Sequence, residues 1–250
     1  MYIYYAILLL ILILYILKNR TKKENFYVIK KQDNCRINTI KHKWTDDFSN
    51  RFEKHEPETN IKFKGILPTL PNNSYIIDVG SHVGDTGLYI ASVLKNDYPS
   101  KNIKVIMIDP DKTKIDFIEK MAKVNNLNNV VTYNKGVSNK SDKGVIEKNH
   151  HPGGWTINTE KKGTVKLDRI DNLCKNKNIS MLHIDVEGME YECLQGCENI
   201  LNNVKYIIIE LNDIKNRNNE KNFLLKHNFF EIPDNKIYKE NGNTIFKKLN

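Results

Sequence analysis

The sequence predicts an α/β fold built on a mostly parallel sheet of seven strands, whose last two strands lie close enough for an antiparallel return at the sheet edge. Three observations lead there. From residue 75 onward, short β-branched runs alternate with amphipathic segments, the pattern of parallel strands joined by crossover helices. The first of these runs ends in a glycine-rich turn and the second in an acid, the arrangement of a ligand site on the C-terminal rim of a parallel sheet. A length of 250 residues suffices for one substantial core, and 40% apolar with 28% charged residues is the composition of an ordinary folded domain.

Residues 1–17, MYIYYAILLLILILYIL, contain no charged side chain and end at Lys18. At about 1.5 Å per residue they reach roughly 25 Å, the short end of what spans a bilayer. Neither a basic leading region nor a small-residue cleavage pattern marks a secretory signal. The segment therefore predicts a transmembrane anchor with tyrosines at both ends. Lys18, Arg20, Lys22, Lys23, Lys30 and Lys31 face only Glu24, so a net +5 of the chain's +9 follows that anchor directly. By the positive-inside rule residues 18–250 would face the cytosol as a single-pass membrane protein, the basic stretch meeting anionic lipid. The remainder is only mildly basic, which argues against a nucleic-acid partner.

Residues 18–60 show no sustained period and read as a juxtamembrane linker leading to a short helix near 44–55; the domain proper is expected over 61–250. Strands are predicted at 75–79, 103–108, 130–134, 180–184, 204–209, 229–232 and about 243–248. Helices are predicted at 85–96, 112–126, 166–176, 189–202 and 218–227. Residues 138–165 are expected to be irregular, an insertion over the strand ends. Within it, His150 and His151 read as solvated loop residues, whereas Trp155 beside Gly153 and Gly154 offers an aromatic face for stacking. Cys193 and Cys197, four apart on an apolar helix face, fit neither a zinc nor a redox motif and read as buried packing residues.

The chemistry concentrates at strand ends. In IIDVGSHVGDTG, Asp78, Gly80 and Gly84 place an acid and two glycines where a strand turns into a helix. Glycine there permits close approach of a ligand, and the helix start favours an anion. The dinucleotide string Gly-x-Gly-x-x-Gly is missing. The wider spacing suits a carboxylate with a nearby ammonium, as in a methionine moiety. Asp109 ends the second strand, 29 residues after Gly80, where an acid accepts ribose hydroxyls. His82, inside the turn, is expected to face the ligand.

The motifs IIDVGSHVGDTG, VIMIDPD, VKLDRIDNL, LHIDVEGMEYECLQG and YIIIEL occur in the order seen in FkbM-type methyltransferases, and over residues 75–248 the chain resembles that group. The resemblance implies a Rossmann-like class I methyltransferase sheet and S-adenosylmethionine as cofactor. Gly80 and Gly84 would line its methionine end, Asp78 its ammonium side and Asp109 its ribose. One departure is Asp109-Pro110 where the group more often has Glu-Pro, leaving a reach one methylene shorter. Members with an implied substrate mostly methylate hydroxyls on sugars or polyketides.

Four carboxylates follow the fourth strand. Glu190 and Glu192 fall off the apolar face of the next helix, in its first turn, where negative charge suits the helix dipole. Asp185 and Glu187 occupy the rim itself. Asp185 is the expected base or acceptor-orienting group, with Glu187 and Glu210, at the end of strand five, as partners. Together the three carboxylates have the oxygen chemistry of a hard divalent cation. The expected activity is O-methylation of a sugar or other polyol. The alternatives are an RNA ribose 2′-O-methyltransferase and a catalytically silent, membrane-tethered binding module. A short-chain dehydrogenase is disfavoured because Tyr27 and Lys31, the only Tyr-x-x-x-Lys pair that could serve it, precede the glycine turn.

Overall fold

The computed structural model describes residues 27–30, 35–54, 57–148, 155–161, 163–211, 217–233 and 243–249. Two short strands, β1 (Tyr27–Lys30) and β2 (Arg36–Thr39), pair antiparallel and precede helices α1 (Thr45–Lys54) and α2 (Pro57–Ile66). The main alternation follows as β3 (Tyr75–Val79), α3 (Asp85–Asp97), β4 (Lys104–Asp109), α4 (Lys112–Val124) and β5 (Val130–Asn134). Four small strands come next: β6 (Gly136–Val137), β7 (Asp142–Lys148), β8 (Trp155–Asn158) and β9 (Val165–Asp168). The chain then runs through α5 (Ile170–Leu173), β10 (Ile179–Ile184), α6 (Glu190–Gln195), β11 (Tyr206–Glu210), α7 (Arg217–Lys226), β12 (Phe229–Glu231) and β13 (Asn243–Lys248).

The seven-stranded sheet has the order β12-β13-β11-β10-β3-β4-β5, with β13 antiparallel to both of its neighbours and the other pairings parallel. The expected mixed sheet with its antiparallel last strand is thus present. All six residues of β10 are buried, because helices cover both faces, and this accounts for its unbroken apolar run. One core lies under α1 to α4, built from side chains such as Phe48, Phe63, Leu88 and Phe117. The other lies under α5 to α7 and holds Ile170, Cys193, Cys197 and Leu224.

The order of strands fixes where a ligand can sit. From β3 the chain builds outward through β4 and β5, then returns to add β10 and β11 on the other side of β3. The two halves diverge between β3 and β10, and their connections leave a crevice at the C-terminal ends of these strands.

Several expectations are corrected. Residues 36–39 form a strand and Ile37 joins the same core as Leu88, so part of the segment read as linker packs against the domain, whereas the helix expected near 44–55 is present as α1 and buries Phe48 and Phe52 in that core. Phe48 and Phe52, one helical turn apart, stack at 5.2 Å on the buried side of α1. The insertion expected to be irregular contributes strands to a small sheet of order β6-β9-β7-β8. Residues 166–168, expected to begin a helix, belong with Val165 to one of its strands, because Val165 and Leu167 alternate with polar neighbours at period two.

The localisation is also corrected: no helix among the described residues is long and apolar enough to cross a membrane. Residues 1–17, on which the single-pass, cytosol-facing location rested, lie outside the described residues, and no membrane location is assigned.

Candidate functional site

Backbone hydrogen bonds join the ends of β3, β4 and β10 into one rim. The Asp185 N–H donates to the Val79 carbonyl at 3.0 Å, continuing the β3–β10 ladder past the strand end. Gly80 and Ser81 both donate to the Ile108 carbonyl, at 2.9 and 3.1 Å. Ser81 Oγ accepts the Ile108 N–H at 3.0 Å and donates to the Asp78 carbonyl at 2.8 Å. His82, at φ +48°, directs its N–H onto Asp109 at 2.9 Å. The glycine turn and the acid of the second strand are therefore in direct contact on the same side of the sheet.

The two glycines do different things. Gly80 has φ +78°, and a Cβ placed there would fall 1.7 Å from the Asp185 carbonyl oxygen. Only a residue without a side chain lets β3 and β10 approach so closely at the rim. Gly84, at φ +85°, precedes α3, and a Cβ there would meet Ile118 at 2.8 Å and Met107 at 3.0 Å. Its missing side chain makes room for the core.

A cleft of about 220 Å³ opens over this rim, and Gly80, His82, Asp109, Asp185, Glu187 and Glu210 all line it. Ile146 and Ile157, paired across β7 and β8, close one wall. Gly136 lets the small sheet come close, since a Cβ at that position would meet Ile157 at 2.5 Å.

Asp109 is 5% exposed, and its two carboxylate oxygens accept the N–H groups of His82 and Asp111, at 2.9 and 2.8 Å. Burial pushes its carboxyl up to about 6, against the opposing pull of Lys114 and the two N–H donors. Each oxygen retains a lone pair for a further donor. The His82 ring turns toward α1, with Nε2 3.4 Å from Asp47, and Trp44 meets it edge-on at 6.4 Å.

Asp185, Glu187 and Glu210 converge at the opposite side of the cleft, with one carboxylate oxygen from each lying within 4.8 Å of the others. Glu187 is exposed and takes φ +53°, an uncommon conformation for a residue with a side chain, followed by Gly188 at φ +100°. Glu190 is buried, not solvent-facing as its helical position suggested. It accepts the Gly188 N–H at 3.0 Å, which ties the turn back to α6, and burial raises its pKa.

Asp78 lies beneath this cleft. It is 1% exposed, with Oδ1 2.7 Å from Nδ1 of His183 on the neighbouring strand and Oδ2 buried without a hydrogen-bond partner among the described residues. It borders a second cavity of about 10 Å³, room for one atom-sized group, which also touches Arg51, Asp85 and His183.

Of the expected site residues, six thus surround one cleft, Asp78 borders the adjoining cavity, and Gly84 faces the core. Arg51, Ile146 and Ile157 were not anticipated. Arg51 precedes the glycine turn on a helix whose pattern reports only its buried phenylalanines, and the two isoleucines lie in a segment read as irregular. His183 carried a signal, since it shares a strand face with Asp185 at i, i+2. His150 and His151 lie outside the described residues, and Trp155 opens β8.

A family model, the methyltransferase FkbM domain, matches residues 78–237, more than half of the chain. No curated protein matches. Among solved structures, methyltransferase FkbM from Methylobacillus flagellatus KT aligns with a TM-score of 0.50 at 12% identity, covering 70% of this chain and 43% of its own. This chain thus spans less than half the length of that protein. An rRNA methylase from Streptococcus thermophilus aligns at 0.46 and 14% identity, covering 76% of this chain and 95% of its own. TYW2 of M. jannaschii in complex with AdoMet aligns at 0.43 and 14% identity, covering 91% and 88%.

Proposed function

Because this chain belongs to the FkbM methyltransferase family, we propose that it transfers a methyl group from S-adenosylmethionine to a hydroxyl oxygen of a sugar or other polyol. When bound, the cofactor would supply an electrophilic methyl group for in-line attack by the acceptor oxygen, with a neutral thioether as the leaving group. The residues present fit it. Gly80 permits close approach of a ligand to the backbone, Asp109 offers free lone pairs to a ribose, and the buried, unpartnered Asp78 Oδ2 suits an ammonium donor.

The observation that carries the hydroxyl reading is the convergence of Asp185, Glu187 and Glu210 on one side of the cleft, across from Asp109. An alcohol at neutral pH reacts faster when a carboxylate takes its proton, and the in-line geometry requires the oxygen to be held in place. Asp185, half-buried at the strand end, takes the proton; Glu187 and Glu210 orient the acceptor. The same oxygens have the ligand chemistry of a hard divalent cation, which is the second reading. Loss of transfer on chelation, with recovery on adding Mg²⁺, would favour it over direct proton uptake.

The test is a screen with labelled methyl donor over nucleotide sugars, free polyols and capped RNA. Label in a base-stable ether on a sugar or polyol supports the reading. Label only in RNA, or only on nitrogen, overturns it.

A further inference from the structure

We infer that Arg51 binds the carboxylate of the cofactor's amino-acid tail, so that the site is completed by a helix upstream of the matched family domain. The inference rests on the cofactor assignment above and adds a ligand to it.

Arg51 and Asp185 border both the main cleft and the small cavity, as do Gly80 and His82, so the two spaces adjoin at the glycine turn. A long molecule with its ribose on Asp109 would pass Gly80 and bring its far end between Arg51 and Asp78. Three carboxylates, those of Asp78, Asp85 and Asp185, surround one guanidinium there. Asp78 and Asp85 are 1% and 4% exposed, Asp185 stands at the rim, and the Arg51 guanidinium lies among them at 24%. Neither a bare anion nor a bare cation matches that array. A zwitterion does, with its ammonium on the unpartnered Asp78 oxygen and its carboxylate on Arg51.

Arg51 is placed for this without the ligand. Its Nε donates to Asp85 at 3.3 Å, a long contact made through one of the five N–H donors of the guanidinium. Phe48 and Phe52, buried on α1, hold that helix against α3, where Asp85 is the first residue. Asp85 and Asp185 keep the guanidinium charged, which burial alone would oppose.

The experiment is calorimetry on the full chain with three ligands. These are S-adenosylhomocysteine, its decarboxylated analogue, which keeps the ammonium, and 5′-methylthioadenosine, which lacks the tail. The unmodified protein should prefer S-adenosylhomocysteine over the decarboxylated analogue by about 10- to 100-fold, the range of one charge-assisted contact. In Arg51→Gln that preference should vanish while 5′-methylthioadenosine binding is unchanged, and Arg51→Lys should keep part of it. An unmodified protein that does not distinguish the first two ligands overturns the inference, and needs no variant to do so. An Arg51→Gln protein that keeps the preference, or loses affinity for all three ligands alike, overturns it as well. Failure of the unmodified protein to bind any of the three removes the cofactor assignment itself.

Discussion

The carbonyl oxygen of Asp185 packs directly against Gly80, so closely that a methyl group at residue 80 would lie 1.7 Å from it. This contact joins the ends of β3 and β10 at the point where the sheet's two halves diverge. It makes the residue that shapes the cofactor turn and the residue assigned to the acceptor immediate neighbours.

Gly80→Ala should force the two strand ends apart and hold the backbone in a conformation that alanine resists. The expected cost is at least about 2 kcal/mol in urea unfolding, with loss of S-adenosylhomocysteine binding by the folded fraction. Gly84→Ala should destabilise by about 1–3 kcal/mol through Ile118 and Met107, yet leave binding intact. Equal binding losses in the two variants would refute the division of roles between the glycines.

The Asp109 carboxyl, raised from its ordinary 3.8 to about 6, holds its proton more tightly in the folded chain than in the unfolded one. Stability from this group is therefore greatest at low pH, declines as pH rises between 3.8 and about 6, and levels off above. Ligand binding has the opposite slope, since the charged carboxylate is the better acceptor for ribose hydroxyls. Affinity should rise by up to about tenfold per pH unit below 6 and reach a plateau above it. Titration calorimetry between pH 5 and 8 would show the inflection, and Asp109→Asn should abolish it.

Asp185→Asn preserves size and removes the proton acceptor. Methyl transfer should slow by about 100-fold or more, far beyond any change in S-adenosylhomocysteine affinity. Glu210→Gln, altering an orienting group, should have a smaller effect on the rate and raise the acceptor KM. Single-turnover rates beside calorimetry separate the two, and an unchanged rate in Asp185→Asn would remove that residue from the chemistry.

The four cysteines should differ in reactivity. Burial pushes the Cys174 thiol up to about 11 and raises Cys193 and Cys197 as well, and all three are enclosed in the core. Cys35 is only partly buried. Iodoacetamide followed by mass spectrometry should label Cys35 in the native chain and the other three only after denaturation. Rapid native labelling of Cys193 or Cys197 would contradict their role as packing residues.

The main strands were legible because continuous apolar runs report burial on both faces, and most of their predicted bounds agree with the structure to within two residues. The hidden strands, β7 to β9, are four to seven residues long, and period-two alternation over so few residues is too brief to distinguish from loop. The segment ahead of α1 failed for a related reason: Ile37 is buried by distant helices, and no local pattern records that.

The sequence alone determined which residues end each strand, and so put Gly80, Asp109, Asp185 and Glu210 on a rim. Strand direction and side-chain alternation are local properties of the chain. Only the tertiary structure decided that β10 lies beside β3, that Asp78 turns inward to His183, and that Arg51 arrives from an upstream helix. Those outcomes depend on which surfaces bury one another, and such pairings between segments far apart in the chain leave no periodic trace in either segment.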